Sequence, residues 1–280
     1  MTLLELIQVT ADFFKKKGIP SPRFDAERII AASLGLKRIE LYLQFERPIL
    51  DADLDKLRPL VKRRGERVPL QHILQTADFW GLSFRSDSRA LVPRPETEIL
   101  LETALAKTQP ESGTLWDVGT GSGIIPISFL REKKGWRATG LDFSPDALAL
   151  ARENAEKLSV SDRADWLLSD LLDNAPDGCC NLMAANLPYI PSGILESLPP
   201  EVRHDPASAL DGGSDGLALI ARLIESAPPK MAPGSFLILE IGEEQTTPVC
   251  AMLEKAGFIS AETIKDLNGK PRIVSAQKNF

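Results

Sequence analysis

The sequence contains no run of 18 or so uninterrupted apolar residues, the length a membrane helix needs, and this excludes a bundle of membrane-spanning helices. Cysteine is scarce, with three in all and two of them adjacent at Cys179 and Cys180. They form neither a disulfide framework nor a metal-binding spacing, so all three are expected to be buried and structural, in a reducing compartment. The stretch MTLLELIQVTADFFKKKG breaks its apolar pattern with Glu5 and Asp12 and has no small-residue cleavage site. It does not read as a signal peptide, and a cytoplasmic protein is expected. Internal repeats and low-complexity segments are missing, as is any general-base pair or catalytic triad. The two histidines, His72 and His204, read as structural.

What is present is near the average for a globular chain. The 280 residues are 43% hydrophobic and 26% charged, enough for one sizeable α/β core and a smaller domain. The net charge of −6 is unevenly spread. Residues 1–75 carry 14 Lys/Arg against 10 Asp/Glu, whereas residues 76–280 carry 19 against 29. The densest basic stretch, KRRGER (Lys62 to Arg67), reads as a solvated helix end or a contact for an RNA-bearing or acidic partner.

Helical periodicity dominates residues 1–75. Leu3, Leu6, Ile7, Phe13 and Phe14 fall on one face, and Gly18 with Pro20 stops the run. A second run holds Ala26, Ile29 and Ile30 and ends at Gly35; a third starts at Asp51 as N-cap and turns Leu54, Leu57 and Val61 inward. A helical bundle over 1–75, serving to dock the substrate, is expected. Residues 76–96 read as a hairpin and Pro-bounded linker. From 97 to 280 strands alternate with helices: Thr114 to Val118, Ala138 to Asp142, Ala164 to Leu168, Asn181 to Ala185 and Phe236 to Ile241 are the strands. Ser144 and Pro145 are the N-cap and first residue of one intervening helix. This alternation predicts an α/β, Rossmann-like domain: a mostly parallel sheet with helices on both faces. Ligands bind such sheets at the carboxyl ends of the strands.

The first strand runs into DVGTGSG. Gly119, Gly121 and Gly123, with Thr120 and Ser122 between them, make a turn that a ligand can approach closely. A dinucleotide fingerprint would require a glycine at 124, where Ile124 stands. The second strand ends at Asp142, a carboxylate able to accept both hydroxyls of a ribose. No lysine in the loop offsets Asp117, which disfavours a pyrophosphate. After the third strand Asp170, with Leu171 beside it, reads as the acceptor for an adenine amino group, or as a helix cap. Ribose, adenine and a cationic centre together describe S-adenosylmethionine.

The fourth strand ends in Asn186-Leu187-Pro188-Tyr189. Asn at a strand end is often a turn residue, but beside the other three features it gains a second reading. An Asn oxygen accepts one N–H of a planar acceptor, and a carbonyl left unpaired beside Pro accepts the other. The Tyr189 ring is then expected to cover one face of the planar group. Methyl transfer to an amide or amino-base nitrogen follows, with Asn186, Pro188 and Tyr189 as the catalytic set.

With these residues identified, the chain resembles the bacterial release factor glutamine methyltransferases of the HemK type along nearly its whole length. SPRFDAERIIAASLG, ELYLQFERPI and VPLQHIL resemble the family's helical domain; FWG (Phe79 to Gly81) and PRPETE (Pro93 to Glu98) resemble its linker signatures. HDPASALDGGSDGL (His204 to Leu217), LEIG (Leu239 to Gly242) and KDLNGKPRIV (Lys265 to Val274) complete the likeness. The resemblance implies methylation of N5 of the glutamine in the Gly-Gly-Gln motif of peptide chain release factors. Those factors would be the partner, with no stable nucleic-acid binding, no membrane, and a monomeric enzyme. Two positions depart from the pattern: Leu187 replaces a Pro, and Asn181 replaces an Asp in what is expected to be a structural role. Asn-Leu-Pro-Tyr also resembles the ribosomal RNA adenine dimethyltransferases, so adenine-N6 methylation is the alternative. That activity would predict a broad basic groove, which the acidic residues 76–280 do not suggest.

Overall fold

A computed structural model describes residues 1–108 and 111–279. The chain divides into two units: Met1–Thr76 together with Pro199–His204, and Ala77–Leu198 together with the chain from Asp205 onwards.

The first unit is helical, with α1 (Leu3–Lys16), α2 (Pro22–Leu34), α3 (Arg38–Leu41), α4 (Asp51–Gly65) and α5 (Leu70–Leu74). A capping box starts α1: the Glu5 amide donates to the Thr2 hydroxyl and the Thr2 amide donates to the Glu5 carboxylate. Leu3, Leu6, Ile7, Ala11 and Phe14 then bury one face against Ala26, Ile29 and Ile30 of α2. Asp51 is the first helical residue of α4 rather than its cap, which is Leu50. There its charge still meets the positive end of the helix dipole.

Half of the basic residues of the KRRGER stretch are consumed within this unit. Arg64 is buried and donates to Asp25 at 2.7 Å and to Glu201 at 3.0 Å. Arg67 grips both oxygens of Glu201 at 2.7 and 2.6 Å. Only Lys62 and Arg63 stay exposed as a solvated helix end would. Glu201 lies in the hexapeptide 199–204, so its pairing with the helices is invisible to any local reading. Burial pushes the Asp25 carboxyl upward, against the hydrogen bond from Arg64 that holds it down.

The second unit opens with a hairpin, β1 (Thr76–Phe79) and β2 (Leu82–Arg85), whose Phe79 and Phe84 meet edge to face inside its core. Then follow α6 (Thr97–Lys107), β3 (Gly113–Val118), α7 (Ile124–Glu132), β4 (Trp136–Asp142), α8 (Pro145–Lys157), β5 (Ala164–Leu168) and β6 (Cys180–Ala185). The chain ends with α9 (Ala218–Ser226), β7 (Met231–Glu240), α10 (Thr246–Lys255), β8 (Phe258–Lys265) and β9 (Pro271–Lys278). The sheet order is β5-β4-β3-β6-β7-β9-β8. The first five strands pair in parallel, and β9 runs antiparallel between β7 and β8. All five strands expected from the sequence are present; β8 and β9 were not foreseen.

Alternate residues of each strand feed opposite faces. Trp116, Val118, Met183, Ala185, Leu237 and Leu239 join the core under α9 and α10. Leu115, Ala138, Leu182, Ala184 and Ile238 join the core under α6 and α7. Asn181 accepts the Thr114 amide at 2.9 Å across the start of β6 and β3, a structural role as expected. One expectation fails in part, since not all three cysteines are buried. Cys180 is buried as the first residue of β6, but Cys179 precedes the strand and is exposed, and Cys250 is half-buried on α10. His204 is exposed, while His72 is buried.

Arg64→Met should cost about 3–5 kcal/mol, because it strands the buried Asp25 charge. Lys62→Ala should change stability by less than about 0.5 kcal/mol. Urea unfolding of the two variants beside the parent protein checks the contrast.

Candidate functional site

The order of the parallel strands reverses between β3 and β6, and a cavity of about 430 Å³ opens there at the strand ends. All its lining residues belong to the second unit.

One side is built by the turn after β3. Gly119, Gly121 and Gly123 have φ of 75°, 54° and 78°, which is left-handed backbone that glycine alone adopts freely. The amides of Gly119 and Thr120 both donate to the Leu141 carbonyl, at 2.8 and 2.9 Å, and so tie this turn to the end of β4. Asp142 stands beside it, 8% exposed. Its Oδ2 accepts the Gly121 amide and its Oδ1 the Ser144 amide, each at 2.9 Å. Burial pushes this carboxyl up, while the backbone donors from Ser144, Gly121 and Phe143 hold it down. Each oxygen keeps a lone pair for a further donor. Phe143, 57% exposed, adds an apolar plate on the same wall.

Thr120 turns its hydroxyl inward to Asp117 Oδ2 at 2.6 Å. Asp117 is fully buried, and among the described residues its Oδ1 has no partner. Burial therefore drives its carboxyl to about 7 despite that bond. The Ser122 carbonyl accepts from Asn154 at 3.0 Å, and Asn154 in turn binds the backbone of Arg85, bracing the turn from beneath. Asp170 and Leu171 lie on the far wall. Asp170 is exposed and paired with Arg222 at 2.9 Å; it starts a turn, not a helix.

The other side is built around Asn186, the first residue past β6. Its Nδ2 donates to Thr97 Oγ1 at 3.0 Å, and that hydroxyl donates to Glu240 Oε2 at 2.8 Å. Thr97 opens α6 and Glu240 closes β7; both are buried. Among the described residues no protein donor reaches Asn186 Oδ1 or the carbonyls of Leu187 and Pro188. Leu187 is buried, and a Cβ on Gly119 would stand 2.8 Å from its Cδ2. The residue that departs from the family pattern thus packs directly under the glycine turn.

The segment 205–217 supports this strand end. Ile190 bridges Asp211 in parallel, with Ile190 N to Leu210 O at 3.2 Å and Gly212 N to Ile190 O at 2.9 Å. Gln245 clamps the same place, donating to the carbonyls of Tyr189 at 3.0 Å and Gly216 at 3.2 Å. Asp205 accepts the Val92 amide at 3.2 Å and Arg94 at 2.7 Å, fixing the loop that leads into Thr97.

Gly119, Thr120, Gly121, Ser122, Asp142, Asp170, Leu171, Asn186, Leu187 and Pro188 all line this one cavity. Two residues of the expected set stand off its wall. Gly123 caps α7, where a Cβ would strike Trp166 at 2.9 Å. Tyr189 packs on the core under α9 and α10, and burial with the charge of Glu240 pushes its phenol to about 12. Its carbonyl is held by Gln245. Thr97 and Glu240 went unread as site residues. A carboxylate closing the apolar run FLILEI was the signal for one of them.

The strand order, the glycine turn and the acid closing β4 define the class: an S-adenosylmethionine-dependent methyltransferase. A family model described as the PrmC N-terminal domain matches residues 5–74. Another, described as a precorrin methyltransferase domain, matches residues 99–184 and stops short of Asn186. A release factor glutamine methyltransferase of Geobacter sulfurreducens is 36% identical over 99% of this chain and 96% of its own length. That of Rhodopirellula baltica is 38% identical over the same shares. A ribosomal protein L11 methylase from Lactobacillus delbrueckii subsp. bulgaricus shares the fold, with a TM-score of 0.53, 18% identity, and coverage of 70% of this chain and 86% of its own. The chain belongs to the family of release factor glutamine methyltransferases.

Asp117 titrates higher in the folded chain than in the unfolded one, at about 7. The folded state then retains a proton the unfolded state has lost, and stability drains away as pH climbs from the ordinary carboxylate range towards 7. Asp117→Asn removes that loss. Without cofactor, its stability relative to the parent protein should rise over this pH window and level off above it, as thermal melting at successive pH values will read.

Proposed function

We propose that this chain transfers the methyl group of S-adenosylmethionine to the side-chain amide nitrogen of the glutamine in the Gly-Gly-Gln motif of peptide chain release factors. The observation that carries the reading is the hydrogen-bond state of Asn186. Its amide N–H is engaged by Thr97, while its oxygen and the next two carbonyls are open acceptors beside the cavity. A primary amide offers two N–H groups, the complement of that set. Family membership favours glutamine over adenine.

S-adenosylmethionine fits the opposite wall, where Asp142 has acceptor capacity for two ribose hydroxyls and Phe143 offers an apolar plate. When bound, it supplies an electrophilic methyl on a sulfonium. Asn186 Oδ1 accepts one proton of the glutamine amide, and the carbonyl of Leu187 or Pro188 accepts the other. Held by both protons, the amide is fixed in plane. Its nitrogen is a poor nucleophile, because its lone pair is delocalised into the carbonyl. Positioning must therefore supply most of the rate, and well-oriented reactants gain about 7–11 kcal/mol from it. The nitrogen electron pair forms the new N–C bond while the methyl–sulfur bond breaks, its electron pair staying on the sulfur of the product S-adenosylhomocysteine, and one amide proton leaves to water. Leu187 couples the two walls by packing under Gly119. Tyr189 contributes by packing behind the turn. The helical domain, residues 1–75, docks the release factor; its basic balance and its exposed Ile39, Leu43 and Leu50 support that role.

Mass spectrometry of a release factor after incubation with the enzyme and S-adenosylmethionine should find one added methyl on that glutamine. An unmodified glutamine, or a methylated adenine in RNA instead, would sink the proposal. Asn186→Ala should lose about 10²–10³ in turnover with little change in cofactor affinity. Asp142→Ala should weaken cofactor binding by about 1.5–3 kcal/mol, read by calorimetry.

A further inference from the structure

We infer that Thr97 and Glu240 form a positioning relay that sets which way round the Asn186 amide stands, and that the relay acts only while Glu240 is ionised. This rests on the glutamine-methylating reading above and deepens it.

The Thr97 hydroxyl owns a single proton. It lies 2.8 Å from Glu240 Oε2 and 3.0 Å from Asn186 Nδ2. An ionised carboxylate has no proton to offer, so the hydroxyl must give its own to Glu240. Its oxygen is then an acceptor, and only the NH₂ end of Asn186 satisfies it. Were the amide turned over, two oxygens would face each other at hydrogen-bonding distance with no proton between them. The open Oδ1 is thereby aimed away from Thr97, towards the cavity that both residues line.

Protonation removes the constraint. A neutral Glu240 can itself donate to Thr97, which releases the Thr97 proton to bond Asn186 Oδ1. The turned amide is then equally satisfied, and it presents NH₂ where a substrate N–H has to bind. Two donors meet, and the acceptor glutamine is lost.

The surroundings of Glu240 set this change near neutrality. It is 2% exposed at the end of β7, and burial drives its carboxyl to about 7. The bond from Thr97, the charge of Arg272 on β9 and a hydrogen bond from the Tyr189 side chain in the turn after β6 hold it down, and Glu96 at the start of α6 pushes it up. Asp117 also titrates at about 7, but it sits under the glycine turn, so its protonation would act through cofactor affinity.

The test measures kcat and KM for a release factor from acid to alkaline pH, with cofactor affinity followed in parallel by calorimetry. The parent protein should lose kcat on the acid side of about 7, without a matching loss of cofactor affinity. Glu240→Gln, which can always donate to Thr97, should lack that acid limb. It should lie about 10-fold to 10²-fold lower on the alkaline plateau. Thr97→Val should fall in kcat by a similar factor, and Thr97→Ser should recover most of it. A Glu240→Gln enzyme with the parent's plateau and acid limb would overturn the relay, as would a Thr97→Ser enzyme no better than Thr97→Val. Should Thr97→Val fail to fold, the pH profile of Glu240→Gln still decides. A parent enzyme that methylates normally while these variants do not differ from it overturns the relay alone. A parent enzyme that methylates no release factor at any pH overturns the underlying reading and the relay with it.

Discussion

Everything at the site depends on the register of four parallel strands. Val118 pairs with Leu141 on one side and Ala185 on the other, and Ala185 pairs with Leu239. The residues that follow, Gly119, Asp142, Asn186 and Glu240, therefore finish level with one another. A slip of one residue in β6 would turn its core-facing residues to the opposite core and move Asn186 off the row. The apolar alternation prevents it, since Met183 and Ala185 fit one core and Leu182 and Ala184 the other. Packing that has no chemical role thus determines where the chemical groups stand.

The surroundings of that row are acidic. Asp117, Asp142 and Glu240 are all buried and all have their carboxyls pushed up by burial. Each is restrained differently: Asp117 by one hydroxyl, Asp142 by backbone amides, Glu240 by a hydroxyl and the charge of Arg272. Such an interior is costly for the empty protein. It suits a ligand that brings hydroxyl donors and a positive charge, since binding returns part of what folding spent on desolvating these carboxyls.

Much of this was legible in residue order because the relevant signals are local. The glycine turn, the acid closing β4 and the Asn after β6 each follow directly on an apolar strand, so pattern and position coincide. What escaped was non-local or lacked a pattern. β8 buries little beyond Phe258, so it shows no alternation of the kind that reveals a half-buried strand. Arg64 and Arg67 look like any solvated basic run until Glu201 arrives from far along the chain. Thr97 and Asn186 are 89 positions apart and their bond is a product of the fold alone. Tyr189 packs on the core under α9 and α10 and is not among the residues that line the cavity, a placement its neighbours in sequence do not reveal.

The hexapeptide Pro199–His204 completes the helical unit although it is encoded within the other one. Glu201 is its anchor, holding Arg64 and Arg67 together. The helical domain is consequently not an interchangeable cassette. A chimera that exchanged only the first 76 residues for those of a relative would inherit arginines from one ancestor and their carboxylate from another. Recombination between family members should preserve both segments together or repair the mismatch, so that two stretches over a hundred residues apart behave as one inherited part.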